Sequence, residues 1–297
     1  MTFSLFMQHI VNALSLGSLY ALLAIGYTMV YGILRLINFA HGDIFMLGAY
    51  VAFYGTSLFV LPWWASLLVA IVFTSIFGMG LERVAYAPLR DSPRISIMIS
   101  AIGASFLLEN LAVLIFGGRP KGVDVPEMMG KVLKVGSVSF LSVSLLIPIV
   151  TAALLILLLW IVNGTKTGIA MRAVSTDIET ARLMGVDVNR IISFTFGLGS
   201  LLAAFGGVMW SYKYPQLNPL MGVMPGLKCF IAAVIGGIGN IGGAVLGGFL
   251  LGIIEIMTVA LFPTLSGYRD AFAFILLIIV LLAKPTGLLG KRQAEKV

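Results

Sequence analysis

Long apolar runs separated by short polar breaks fill this chain, and many of the runs are longer than a soluble core requires. About 20 apolar residues cross the hydrocarbon of a bilayer as an α-helix. Runs near that length cover residues 11–34, 44–60, 64–84, 95–116, 140–162, 191–209, 244–262 and 270–284 and predict a spanning helix each. A further run, 226–238, is too short for an ordinary span and ends in a glycine-rich stretch, so it predicts a short or re-entrant element. The pattern therefore predicts an all-α, polytopic helical bundle of about 8–9 membrane segments.

Polar residues are concentrated in one long interruption, 164–190, which carries Lys166, Arg172, Asp177, Glu179, Arg182, Asp187 and Arg190 and must lie in water. Thr176 followed three residues later by Glu179 has the spacing of a capping box, and Gly185 supplies a left-handed stop. Between them the spacing predicts one short helix of about two turns, with acids in its first turn and Arg182 in its last, complementing the helix dipole. Ile178, Ala181 and Met184 give it a modest apolar face. Nucleation makes so short a helix marginal alone, so something must hold it.

Composition agrees: 60% of the 297 residues are hydrophobic and 10% charged, at a mean hydropathy of +1.07, against about a quarter charged in soluble domains. No polar interval approaches the roughly 50 residues of a minimal domain, so residues 1–297 read as a single membrane domain. The first basic residue is Arg35, so the opening apolar run lacks the basic leader of a signal peptide and is expected to be retained. Basic loops at Arg83, Arg90 and Arg94, in 164–190 and at Lys291, Arg292 and Lys296 predict an amino terminus outside and a carboxyl terminus inside. The formal charge of +7 is spread between apolar runs rather than gathered with aromatics, which argues against nucleic acid and for membrane lipid as the surroundings.

Chemical motifs are sparse. Gly237, Gly239 and Gly242 match a dinucleotide-binding spacing, but apolar membrane runs replace the strand and the downstream acid that the fingerprint requires. No P-loop, nucleophile elbow or metal-ligand spacing occurs, and the single cysteine, Cys229, excludes an internal disulfide. No catalytic or metal-binding residue is expected. Gly243 with Gly247, and Gly248 with Gly252, have the spacing that lets helices approach closely. Glu109 and Glu255, inside or near the ends of spans, are candidates for functional placement, the alternatives being an interfacial position for Glu109 and a protonated, hydrogen-bonded structural role for Glu255. Each half also carries a polar break after an apolar run, Asn38 to Asp43 in the first and Gly236 to Asn240 in the second. Paired interruptions of this kind point to a transport path, which makes Asn38, His41, Asp43, Gly236, Gly237 and Asn240 candidates for lining it.

Three stretches carry a family resemblance. Residues 17–50 contain Gly-Ser-Leu-Tyr-Ala-Leu, Ala-Ile-Gly-Tyr-Thr-Met-Val-Tyr-Gly and Ile-Asn-Phe-Ala-His-Gly-Asp; residues 82–90 read Glu-Arg-Val-Ala-Tyr-Ala-Pro-Leu-Arg; residues 232–252 open with Ala-Ala-Val-Ile-Gly-Gly-Ile-Gly-Asn. Together they resemble the permease subunits of high-affinity branched-chain amino acid ABC importers of the LivH type, over nearly the whole chain and most weakly in 117–139. Glu179, Ala181 and Gly185 are similar to the E-x-A-x-x-x-G core of the coupling loop in such permeases, with Thr180 in place of the alanine after the glutamate.

The resemblance implies a type II-like fold in the cytoplasmic membrane. It also implies that residues 164–190, with Arg172, Thr176, Ile178, Glu179, Ala181, Arg182 and Gly185, dock on an ATPase subunit. The implied partners are a second related permease, two ATPase subunits and a periplasmic binding protein delivering leucine, isoleucine or valine. ATP and Mg would reside on the ATPases and no cofactor on this chain. A urea or short-amide importer permease is the alternative on the same scaffold. An ion-coupled carrier or channel, or an intramembrane enzyme, fits the sequence less well.

Overall fold

The computed structural model describes residues 3–90 and 92–290. Lys291, Arg292 and Lys296, expected to hold the carboxyl terminus inside, lie outside the described residues.

The apolar runs are helices, and their burial sorts them into two shells. The inner shell is led by α1 (Phe3–Leu34), whose central residues from Ser15 to Val30 are all buried, and by α9 (Val188–Lys213). Packed on them are α2 (His41–Ser57), α10 (Val223–Gly236) and α11 (Ile241–Leu261). The outer shell is α3 (Trp63–Leu81), α4 (Arg94–Phe116), α6 (Ser142–Gly164) and α12 (Arg269–Ala283), which leave large apolar side chains such as Phe73, Phe106, Ile156 and Leu282 exposed. A helix apolar on every side is stable only inside a protein or in lipid, and the outer shell has the second kind of surface.

Seven helical segments among the described residues are long and apolar enough to cross a membrane. The other two expected segments are shorter helices, α2 at 17 residues and α10 at 14. The outer stretch 117–141 holds a four-residue helix, α5 (Glu127–Gly130), and a hairpin pairing Val132–Val135 with Val138–Leu141. Its Lys121–Gly122 also pairs with Gln216–Leu217, which joins this stretch to the segment that follows α9.

The inner shell closes by backbone contact. A Cβ on Gly248 would lie 2.5 Å from the Ala21 nitrogen, and one on Gly252 the same or less from Gly17, so this glycine pair seats α11 on α1. Gly243 and Gly247 face Gly236 and Ala232 of α10 in the same way. Two G-x-x-x-G spacings thus serve two different neighbours.

Candidate functional site

The polar interruption is built from two helices rather than the single one expected. α7 (Lys166–Thr176) starts on Thr165, whose hydroxyl accepts from the Gly168 N–H at 3.0 Å, and buries Gly168, Met171 and Val174 against the bundle. The Arg172 guanidinium reaches back to the Val162 carbonyl and lies 3.3 Å from the Asn163 side-chain oxygen. α8 (Ile178–Leu183) follows after a single residue. Its cap is Asp177 and not Thr176: Asp177 has extended backbone and accepts from the Thr180 N–H at 3.1 Å, whereas Thr176 closes α7 and donates to the Arg172 carbonyl at 2.9 Å. Two adjacent cap-type residues had competed, and the extended conformation of the second decides the outcome.

Gly185 does stop α8, with φ +83°. Val186 N–H bonds the Ala181 carbonyl and Gly185 N–H the Arg182 carbonyl, each at 3.0 Å, which is a Schellman closure. Asp187 then caps α9 by accepting from the Arg190 N–H. Ala181 is buried and Ile178 half-buried, while Glu179, Arg182, Leu183 and Met184 face outward. Leu183 is 88% and Met184 80% exposed. A six-residue helix rigidly capped at both ends, offering two large apolar side chains to water, has the form of a docking knob.

A polar network lies beside the base of this knob. α3 continues into a π-helical turn, Glu82–Tyr86, a form of turn often found at functional positions. The buried Glu82 carboxylate pairs with Arg90 and accepts from the Ser193 hydroxyl of α9 at 2.6 Å; Arg90 also reaches Asn189. In the same turn, the Tyr86 hydroxyl donates to the Asn38 side-chain oxygen at 2.7 Å. Asn38 belongs to the segment leading into α2, so hydrogen bonds join the start of α9, through α3, to the start of α2.

That start is one wall of a cavity of about 210 Å³ between α1, α2, α4 and α10. His41, Gly42 and Asp43 are helical and buried, not a polar loop; the break they were assigned to is confined to residues 35–40. Gly42 touches Gly222 so closely that a Cβ on either would lie within 2.4 Å of the other's carbonyl oxygen. The N-terminal ends of α2 and α10 therefore meet at the cavity. Asp43, 3% exposed, accepts from the Ser105 hydroxyl of α4 at 2.6 Å. Glu109 lies one turn further along α4, and Ile37, Phe39, Ile102, Phe106, Leu227 and Phe230 supply an apolar lining.

The amino-acid sequence matches, over residues 9–281, the family described as the branched-chain amino acid transport system / permease component. The chain belongs to that family. The permease is 42% identical to the high-affinity branched-chain amino acid transport system permease protein LivH of Escherichia coli K12, with 99% of each chain covered. It is 41% identical to the permease protein BraD of Pseudomonas aeruginosa, with 98% of each covered. A solved inward-facing conformation of a metal-chelate type ABC transporter has the same fold, with a TM-score of 0.52 at 16% identity over 93% of the permease and 85% of that chain.

Of the six nominated path residues, the structure brings only Asp43 to the cavity surface. Asn38 and His41 lie behind it, His41 edge-on to Tyr27 with ring centroids 4.7 Å apart. Gly236, Gly237 and Asn240 are at the opposite end of α10, where Asn240 caps α11 and the carboxyl-terminal segment bonds back through Leu288 and Leu289 to Ile235 and Gly236. The second-half segment that touches the start of α2 at the cavity is the proline-containing one before α10, ending at Gly222.

Glu255 also departs from expectation. It is buried, yet it forms an ion pair with Lys228 at 2.9 Å, with Arg269 at 3.5 Å, and accepts from the Tyr20 hydroxyl at 2.8 Å. Lys228 further contacts Asp270 at 2.6 Å. Nothing local in the amino-acid sequence signals a partner for Lys228, which stands alone in the short apolar run 226–238. Ser105, Glu82 and Tyr86 were likewise missed, although Glu82 and Tyr86 lie inside a stretch that carried the family resemblance.

Proposed function

We propose that this permease is the membrane-spanning subunit of an ATP-driven importer in the cytoplasmic membrane, passing leucine, isoleucine or valine inward from a periplasmic binding protein. It works beside a second related permease and on two ATPase subunits, which hold ATP and Mg. The observation that carries this reading is α8: a doubly capped knob whose Leu183 and Met184 point into water and which no other part of the chain covers among the described residues. A rigid knob attached to α9 transmits displacement of a partner into the bundle.

In this mechanism, closure of the ATPases draws α7, α8 and the start of α9 along. The Glu82–Ser193 and Tyr86–Asn38 bonds carry that movement to the start of α2, where the cavity lies. Substrate affinity on one side of the membrane is then exchanged for release on the other. The near-identity in length and the 42% identity to a branched-chain amino acid permease favour that substrate over urea or short amides.

The test is uptake by the complete assembly in proteoliposomes. Wild-type protein is expected to accumulate radiolabelled leucine only with ATP and binding protein. Gly185→Pro, which removes the left-handed stop, and Glu179→Lys are expected to abolish coupling between ATP hydrolysis and uptake. Unchanged coupling in both variants would sink the docking assignment, and leucine flux through the permease alone without ATPases would favour an ion-driven carrier. Mass spectrometry of the co-purified complex identifies the partner subunits directly.

A further inference from the structure

Charges buried in a membrane bundle are expensive unless paired. The carboxylates of Glu82 and Glu255 obey this, each with a cation in contact: Arg90 for the first, Lys228 for the second. Asp43 does not. It is as deeply buried, receives a hydroxyl from Ser105, and has no Lys, Arg or His in salt-bridge contact among the described residues. No cation lines its cavity either; the ionisable residues that share the lining with Asp43 are a second acid, Glu109, and Tyr27. The first-turn position in α2 offers partial compensation through the helix dipole, well short of a full positive charge.

The cavity has the other attributes of a small-molecule site. Its volume is about 210 Å³. That suits a metabolite smaller than the ligands of pockets in the roughly 300–1,000 Å³ range. Ile102, Phe106, Leu227 and Phe230 form an apolar wall from α4 and α10, and the N-terminal end of α10, at Val223, faces the space with the positive end of its dipole. One buried carboxyl without a cation partner, one weakly positive helix end and one apolar wall describe the complement of a zwitterion with a hydrocarbon side chain, whose ammonium group would supply the missing cation.

We propose that this cavity is a resting site for a zwitterionic, aliphatic amino acid in transit, with Asp43 receiving its ammonium group, the start of α10 facing its carboxylate and the Ile102–Phe106–Leu227–Phe230 wall its side chain. Ser105 is a positioning residue that holds the Asp43 carboxylate. The substrate part of this inference rests on the import reading above; the charge preference of the cavity does not.

The experiment uses the assembled transporter in nanodiscs, with Ile102→Cys as a reporter at the cavity wall. The fully buried Cys229 gives the background, read on protein without the reporter. Labelling rates are compared for the cationic 2-aminoethyl and the anionic 2-sulfonatoethyl methanethiosulfonates. The cationic reagent is expected to react faster by a factor of at least ~10 relative to its rate with a free thiol, as in a cleft of one sign. Asp43→Asn is expected to remove that preference and Asp43→Glu to retain it, with co-elution of the complex reporting folding of both variants.

Leucine is expected to slow the labelling, and 4-methylpentanoate, which lacks the ammonium group, is expected not to. Equal rates for the two reagents in the Asp43 protein, or protection by both compounds alike, would overturn the proposal. So would the absence of leucine protection in a complex that imports leucine. A complex that shows the cation preference and the Asp43 dependence but imports no leucine would instead break the import reading while leaving the ammonium site standing.

Discussion

Two carboxylates are buried on either side of α10, and the bundle treats them differently. Lys228 faces one side of this helix and Gly226 and Phe230 the other, as residues two positions apart on a helix must. On the first side, Glu255 is enclosed by Lys228, Tyr20 and Arg269, drawn from α1, α10 and α12. On the second, Asp43 has a hydroxyl and open space. The first arrangement satisfies its charge internally and fixes α10 to the bundle. The second leaves a buried carboxyl without a cation at a cavity where a small molecule has room.

The comparison breaks most sharply at Lys228. Lys228→Met strands the Glu255 carboxylate, and unfolding of the purified permease is expected to show a loss of about 3–5 kcal/mol; the double variant with Glu255→Leu is expected to recover most of it. If the double variant stays as unstable as the single one, the cluster contributes more than mutual neutralisation. Tyr86→Phe probes a neutral buried bond, that to Asn38, and is expected to cost about 1–2 kcal/mol in the same measurement.

Asp43→Asn has the opposite sign. It removes a buried carboxyl that has no cation partner while keeping an acceptor for Ser105, so stability is expected to hold or rise by about 1 kcal/mol, the pattern of residues kept for function. A clear fall in stability would place Asp43 with Glu255 as a structural acid. Arg190→Ala, which breaks the exposed pair with Asp187, is expected to leave the unfolding midpoint unchanged, as solvated ion pairs do.

The sequence exposed these two acids unequally, for a physical reason. Spans are legible because a single variable, apolar length, determines them, and the positions of α3, α4, α6, α9 and α11 follow the runs within a few residues. The stop at Gly185 is legible because a positive φ strongly favours one residue type. Pairing between Lys228 and Glu255 is tertiary: it joins different helices, and a lone lysine in an apolar run looks like topology. His41-Gly42-Asp43 looks like a loop because its residues are polar. Only contact with Gly222, a residue far along the chain, shows that they are the buried first turn of a helix. The cap of α8 was misplaced by one residue since Thr176 and Asp177 both qualify and local spacing favours the wrong one.

The glycine seam between α1 and α11 also sets a schedule for synthesis. Gly17 and Gly252 touch in the finished permease, yet the ribosome makes them more than two hundred residues apart. At roughly 5–20 residues per second, that separation is on the order of 10–50 seconds. Throughout this interval the groove on α1 lies open to lipid or to the insertion machinery, and the central helix of the mature bundle has no central place to occupy. The newborn chain is therefore most vulnerable to mispairing and proteolysis just before its second-to-last long helix emerges.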